Sequence, residues 1–182
     1  MTPETSTKLT YEDFLLLPED GRRHEIIDGE HYVTPSPATK HQAISFNLTL
    51  ALGNYTRASR LGRIFAAPYD VVLSASDIVE PDLVFVKFDR AHIIAEAHIE
   101  GAPDLVIEIL SPGTRKRDET IKRKLYERAG VFEYWLVDPE SERITIYRND
   151  GARFARVEVG AVITSLVLPG FELALADVFA ME

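Results

Sequence analysis

The sequence predicts one mixed β-sheet flanked by helices, an α/β or α+β sandwich. Three observations point there. A helical apolar period over 38–59 is followed by short β-rich runs. The stretch Leu105–Leu110 is nearly continuous in apolar residues except for Glu108, as expected of a strand buried on both faces. A helix and then a strand follow it over 118–137. A helix between two strands implies a right-handed crossover and parallel neighbours, whereas the closely spaced earlier strands should be antiparallel.

In chain order, Thr10 caps a short helix through Leu17, with Glu12 and Asp13 in its first turn and Pro18 and Gly21 ending it. His24–Ile27 and Glu30–Val33 form a hairpin about Asp28-Gly29, stopped by Pro35 and Pro37. Ile44, Leu48, Ala51, Leu52 and Tyr55 give the long helix its apolar face, and Gly62 terminates it. Arg63–Ala67, Tyr69–Leu73, Leu83–Phe88 and Leu105–Leu110 are strands. The second helix runs from Asp118 to Ala129, capped by Thr114 or Asp118 and closed by Gly130. Its residues Ile121, Leu125 and Ala129 should face the sheet, with Asp118, Lys122 and Tyr126 on the ridge beside them. Glu133–Val137 is the next strand. Arg143–Arg148 and Phe154–Glu158 form a hairpin around Asn149-Asp150-Gly151, and a last strand near Phe171 precedes a helix at Leu175–Phe179.

The chain has 182 residues, 46% of them hydrophobic and 27% charged, which excludes wholesale disorder. Folding at this length buries roughly 70% of the unfolded surface, enough for one sizeable core. There is no repeat and no linker long enough to divide the chain, so 1–182 is read as one domain. No apolar run approaches the roughly 20 residues of a membrane span. Met1–Thr10 is polar and lacks a secretory pattern. With no cysteine there is no disulfide, thiolate metal site or cysteine nucleophile, which suits a cytoplasmic location.

The net charge of −9 argues at first against a nucleic-acid partner, but it is unevenly spread. Arg115–Arg128 carries seven basic and three acidic residues, a net of +4. A solvated helix face is the ordinary explanation of such a run. Its neighbours suggest more. Asp82 follows Pro81 at the start of one strand, and Glu108 lies within another. A carboxylate in an apolar strand needs a cation, a donor or a raised pKa. Two of them on adjacent strands offer hard oxygen ligands suited to Mg²⁺ or Mn²⁺. For Glu108 alone, an arginine or backbone amide as partner explains it equally well. Glu25, in the first hairpin strand, is a third candidate, although a solvent-facing strand residue would look the same. Lys122 stands at the border of the buried helix face, where its stem can be buried and its ammonium can reach a polar pocket. Lys124 on the opposite border is the alternative.

Pro81-Asp82 and Glu108-Ile109-Leu110, set after a long helix and before a helix–strand unit, resemble the PD-(D/E)XK superfamily of restriction-endonuclease-like proteins. The closer resemblance is to its Uma branch. It rests on His24-Glu-Ile-Ile-Asp-Gly-Glu, His41, Val79-Glu-Pro-Asp-Leu-Val-Phe-Val, Ala102-Pro-Asp-Leu-Val-Ile-Glu-Ile-Leu-Ser-Pro, Arg117-Asp, Lys122 with Leu125-Tyr126 and Ala129-Gly130-Val131, and Glu133-Tyr-Trp-Leu-Val-Asp-Pro. Together these cover most of Tyr11–Tyr147. The resemblance implies a restriction-endonuclease-like mixed sheet, with a nuclease core at about 38–140 and extra β-hairpins at both ends. It also implies a Mg²⁺- or Mn²⁺-dependent endonuclease that acts on DNA as a homodimer.

Leu110 occupies the place where a lysine is usual. The resemblance implies that the lysine has migrated to Lys122. Asp82, Glu108, Glu25 and the Ile109 carbonyl would then hold the metal, with Lys122 orienting water or stabilising charge. Arg115, Lys116, Arg117 and Lys124 would contact the DNA backbone. His41, Asp118 and Tyr126 would stand behind these groups, and Tyr126 and His41 also suit purely structural roles. A competing expectation is a nuclease-like module that binds DNA or protein without cutting; hydrolysis of a small phosphate compound is a third.

Overall fold

Strand β8 (Leu105–Ile109) is buried along its whole length, as its apolar sequence requires. In the computed structural model, which describes residues 8–181, it sits inside a six-stranded sheet. The sheet's other members are β3 (Gly62–Ala66), β6 (Leu83–Lys87), β9 (Glu133–Asp138), β10 (Arg143–Asn149) and β11 (Phe154–Glu158), in the order β11-β10-β9-β8-β6-β3. The β8–β9 pair is parallel and the others are antiparallel, as the intervening helix predicts.

One correction concerns the number of sheets. β1 (Arg23–Ile27), β2 (Glu30–Thr34), β4 (Asp70–Ser74), β5 (Asp77–Val79) and β7 (His98–Glu100) form a second sheet in the order β2-β1-β5-β4-β7. β5 and β7 are too short to stand out in the sequence pattern. The β1–β2 hairpin turns at Asp28 and Gly29, whose φ values of 53° and 80° match the twist of paired strands. A ribbon of β12 (Val162–Thr164) and β13 (Glu172–Ala174) precedes the helix Leu175–Phe179.

The two faces of the six-stranded sheet bury different cores. Helix α2 (Thr39–Ser59) lays Ile44, Leu48 and Leu52 against Leu83, Phe85, Leu105, Ile107 and Trp135. The opposite face puts Val84, Val86, Val106 and Tyr134 against Ile27, Val71 and Val79 of the second sheet. The period of two along a strand therefore points Glu108 away from α2, with Val106 and Leu110. Helix α1 (Tyr11–Phe14) stops short of the expected end at Leu17; Thr10 is its N-cap, and the Thr10 N–H donates to Asp13 Oδ2 at 2.8 Å. Residues 1–7 of the polar N-terminal stretch lie outside the described residues.

Two helix details differ from expectation. α2 ends at Arg60, which adopts a left-handed φ of 53°, and Gly62 already belongs to β3. A Cβ on Gly62 would lie 2.2 Å from the Val86 carbonyl oxygen, so this glycine permits strand contact and does not stop the helix. The basic helix begins earlier, with Arg115–Arg117 (α3), and continues through a π-helical turn, Asp118–Lys122, into α4 (Arg123–Ala129). The wider turn shifts the helical register. Ile121 is 36% exposed, whereas Asp118 and Lys122 are buried. The predicted inward stripe of Ile121, Leu125 and Ala129 gives way to Asp118, Lys122, Leu125 and Tyr126. No helix of the described residues is long and apolar enough to cross a membrane.

Candidate active site

The antiparallel register of β6 and β8 pairs Leu83 with Ile107. Continued by one residue, it sets Asp82 opposite Glu108 on one face. Both are buried. Asp82 Oδ2 accepts the Ile109 N–H at 2.7 Å and lies 3.2 Å from His41 Nε2, while Oδ1 accepts from Arg23 at 2.8 Å. Burial alone would raise the Asp82 pKa. The His41 hydrogen bond, the Arg23 charge and the Ile109 N–H overcome it and lower the pKa below the ordinary carboxylate value, so Asp82 is an anion at neutral pH.

Glu108 has a different environment. Its Oε1 accepts from Lys122 Nζ and from the Tyr126 hydroxyl, each at 2.8 Å. Desolvation pushes its pKa up to about 8; Lys122 opposes that shift, and Asp118, Asp82 and Glu25 add to it. Its Oε2 accepts no hydrogen bond from the described residues. Opposed environments thus divide two neighbouring carboxyl groups into an anion and a group poised to change charge.

Lys122 Nζ lies 2.6 Å from Glu25 Oε1, 2.8 Å from Glu108 Oε1 and 3.8 Å from Asp118 Oδ1. Burial disfavours its charge, but these carboxylates prevail and raise its pKa. Lys122 is therefore a fixed cation and unsuited to act as a base at neutral pH. The π-helical turn is what brings Asp118 and Lys122 together onto the buried face. Burial is also the leading cause of the raised Asp118 pKa. Glu25 Oε1 additionally accepts the Glu80 N–H at 3.0 Å.

Asp82, Glu108, Lys122, Asp118, Arg117 and His41 line one cavity of about 180 Å³. A second cavity, about 200 Å³, shares Arg23, His41 and Asp82 with it. Glu25 lies behind Lys122 and does not line the first cavity, a position that departs from its expected metal-ligand role. The Ile109 group seen at Asp82 is the N–H; the expected ligand is its carbonyl.

The four basic residues expected on DNA divide into two pairs. Arg115 makes a two-point contact with Asp138, at 2.7 and 3.0 Å, and Arg117 turns inward to Thr34 at 2.7 Å and toward Glu25 at 3.4 Å. Lys116 and Lys124 are exposed. An arginine beside an unsatisfied carboxylate gains more from pairing than from remaining in water, which the sequence could not reveal without the partner's position. His41 and Tyr126 both bond to the carboxylates, as described. Arg23 and Glu80 were missed. Arg23 shares strand parity with Glu25, the one local signal that could have indicated it; Glu80 carried none beyond its place next to Pro81-Asp82.

The donor set fits a hard divalent cation. Two carboxylates share the cavity, Glu108 Oε2 accepts no hydrogen bond from the described residues, and buried Asp118 Oδ1, on the same cavity, has no hydrogen-bond partner among them. No group of three His, Cys, Asp or Glu side chains among these residues forms a ready-made cage. Mg²⁺ needs none, since it binds through one or two carboxylates and keeps several waters.

A family model described as "Putative restriction endonuclease" (Uma2) matches residues 11–176. A crystal structure described as that of "a putative nuclease belonging to DUF820", from Anabaena variabilis ATCC 29413, superposes with a TM-score of 0.78. It is 24% identical, and the match covers 94% of this chain and 97% of that one. At that identity the likeness speaks for the fold. No curated protein matches the chain.

Proposed function

The chain belongs to the Uma2 restriction-endonuclease-like family, and from that premise we propose that it is a Mg²⁺- or Mn²⁺-dependent endonuclease hydrolysing phosphodiester bonds in DNA. The observation that carries this reading is the convergence of Asp82, Glu108 and Lys122 on one cavity, from the residue before β6, from β8 and from the π-helical turn.

Asp82 and Glu108 would hold the cation, with the Ile109 carbonyl as a further ligand. When bound, a divalent cation polarises a phosphate oxygen and offsets the charge that develops there. Asp82 enters this arrangement already ionised. Glu108 would be held as a carboxylate there, because a nearby cation opposes the effect of burial on its pKa. Lys122 keeps a positive charge in the cavity, aimed at a phosphate oxygen or at the carboxylates that orient it. Glu25 and Asp118 hold Lys122 in place, and Tyr126 fixes one face of Glu108. Lys116 and Lys124 supply non-specific contacts to the DNA backbone. One chain has one such cleft, so a homodimer would bring two to a duplex. With DNA as substrate, the cytoplasm is the compartment in which it acts.

Incubation of supercoiled, linear and branched DNA with Mg²⁺ or Mn²⁺ tests the proposal. Wild type should cut and Asp82→Ala should not. Equal cutting by both proteins would place the chemistry elsewhere. Binding without cutting by wild type would leave the nuclease-like binding module instead. A Mn²⁺ anomalous peak between Asp82 and Glu108 is the expected crystallographic counterpart, and light scattering gives the oligomeric state.

A further inference from the structure

Both buried carboxylates of the site are already paired with a cation of the chain. Glu108 is paired with Lys122 and Asp82 with Arg23, at 2.8 Å in each case. The two cations are held very differently. Lys122 is 3% exposed and lies 2.6 to 3.8 Å from three carboxylates, those of Glu25, Glu108 and Asp118. The Arg23 side chain is 18% exposed, and Asp82 is its one carboxylate partner among the described residues.

Asp82 has little room for a further partner. A carboxylate oxygen offers two lone-pair positions. Both on Oδ2 are taken, by the Ile109 N–H at 2.7 Å and by His41 Nε2 at 3.2 Å. Oδ1 is the oxygen that Arg23 Nη1 occupies. A divalent cation at Asp82 must therefore coordinate Oδ1. There it stands close to the guanidinium in a buried place that screens charge poorly, and the two like charges repel. Arg23 has room to move, since it lines both cavities. Nη1 also donates to the Glu80 carbonyl at 3.3 Å, while Nε and Nη2 make no hydrogen bond with the described residues.

Resting on the nuclease reading above, we infer that Arg23 is the stand-in cation of the metal-free site and a phosphate ligand of the loaded one. It neutralises Asp82 until a divalent cation takes Oδ1. The freed guanidinium then donates to a phosphate oxygen of the DNA strand. Its planar fork of N–H groups matches phosphate geometry. The exchange replaces one cation by another at Asp82 and presents the phosphate-binding group only when the metal is in place. Lys122 is unsuited to the same exchange, because leaving Glu108 would also strand Glu25 and Asp118.

The test uses the full chain, with Mg²⁺ alone as the first probe. Arginine side-chain NMR should show the Arg23 guanidinium held in the metal-free protein and released on saturation with Mg²⁺; Arg23→Lys identifies the signals. Calorimetry should give Arg23→Gln a Mg²⁺ affinity about fivefold or more above wild type, because the ion no longer competes for Asp82. Arg117→Gln removes the same charge from the same cavity without touching Asp82, and should raise the affinity less. In single-turnover cleavage of DNA at saturating Mg²⁺, Arg23→Gln should be slower by about 10²-fold. An arginine with a merely structural role would lose metal affinity and activity together; opposite directions mark the exchange. Arg23 signals unmoved by Mg²⁺, an affinity gain no larger than that of Arg117→Gln, or an Arg23→Gln protein that cuts like wild type would overturn the inference. Cleavage by a wild type whose Arg23 stays on Asp82 in Mg²⁺ removes the exchange and leaves the nuclease reading. Release of Arg23 without any cleavage removes that reading and keeps the exchange. Its phosphate contact is then read from DNA binding, which Arg23→Gln should weaken about tenfold in Mg²⁺ and much less without it; equal weakening in both overturns the contact.

Discussion

Lys122 donates to Glu108 Oε1 over 2.8 Å, from a helical turn that follows the strand bearing the carboxylate. Both groups are buried, and removing one partner of such a pair typically costs about 3–5 kcal/mol. Lys122→Met should therefore lower Tm by roughly 10 °C. It also removes the cation held among Glu25, Glu108 and Asp118, so added Mn²⁺ should restore stability more in this variant than in wild type. Thermal melts with and without Mn²⁺ measure both effects; equal metal dependence in the two proteins contradicts the charge argument.

Asp82→Asn tests the carboxylate as a ligand, with stability followed in parallel. The amide oxygen can still accept the Ile109 N–H, but the NH2 then faces the Arg23 donor, so the expected stability loss is about 3–5 kcal/mol. Loss of the ionised ligand should reduce DNA cleavage about 10²-fold or more. Parallel melts and single-turnover assays decide it, and a fully folded variant that retains activity rules out Asp82 as a ligand.

Tyr126→Phe removes the hydroxyl that donates to Glu108. It leaves Lys122 in place, so the expected cost is about 1–2 kcal/mol of stability and less than about tenfold in rate. A rate loss as large as that of Asp82→Asn would make Tyr126 a participant in the chemistry instead of a support for Glu108.

The exposed lysines and the paired arginine should respond differently. Lys116→Ala and Lys124→Ala should each reduce the salt slope of DNA binding by about one, with little change in Tm. Arg115→Ala breaks the contact with Asp138 and should lower stability with little change in slope. Binding isotherms at several salt concentrations check this.

Asp138 supplies a pH signature of the same contact. Hydrogen bonds from Arg115 are the leading cause of its lowered pKa, despite opposition from desolvation, with Ser141 and the Glu140 N–H helping. The folded pKa lies below the unfolded value, so this stabilisation is present above the ordinary carboxylate range and is lost as pH falls through the folded value. Because the pair is only part-buried, its worth is discounted to about 0.5–1 kcal/mol. Asp138→Asn should be less stable than wild type at pH 7, and the gap should narrow as acid is added. A gap independent of pH would mean that the charge contributes nothing.

Local signals made much of this legible. The Asp28-Gly29 turn, the apolar period of α2 and the continuous strand around Glu108 each state their structure within a few residues. Asp82, Glu108, Glu25 and Lys122 stood out because charge in or beside apolar runs demands a partner. The sequence could not say that β5 and β7 would complete a second sheet, since three-residue strands have too short a pattern. Nor could it show that a π-helical turn would bury Lys122 and expose Ile121.

The opposite outcomes for Arg115, Arg117, Lys116 and Lys124 depend on where Asp138, Glu25 and Thr34 arrive in space. By itself the sequence determined which groups needed company: carboxylates in strands and cations on a helix. Tertiary structure decided which met. Pairing energies depend on separations of a few ångströms and on local burial, and both arise only when strands and helices from distant parts of the chain pack together.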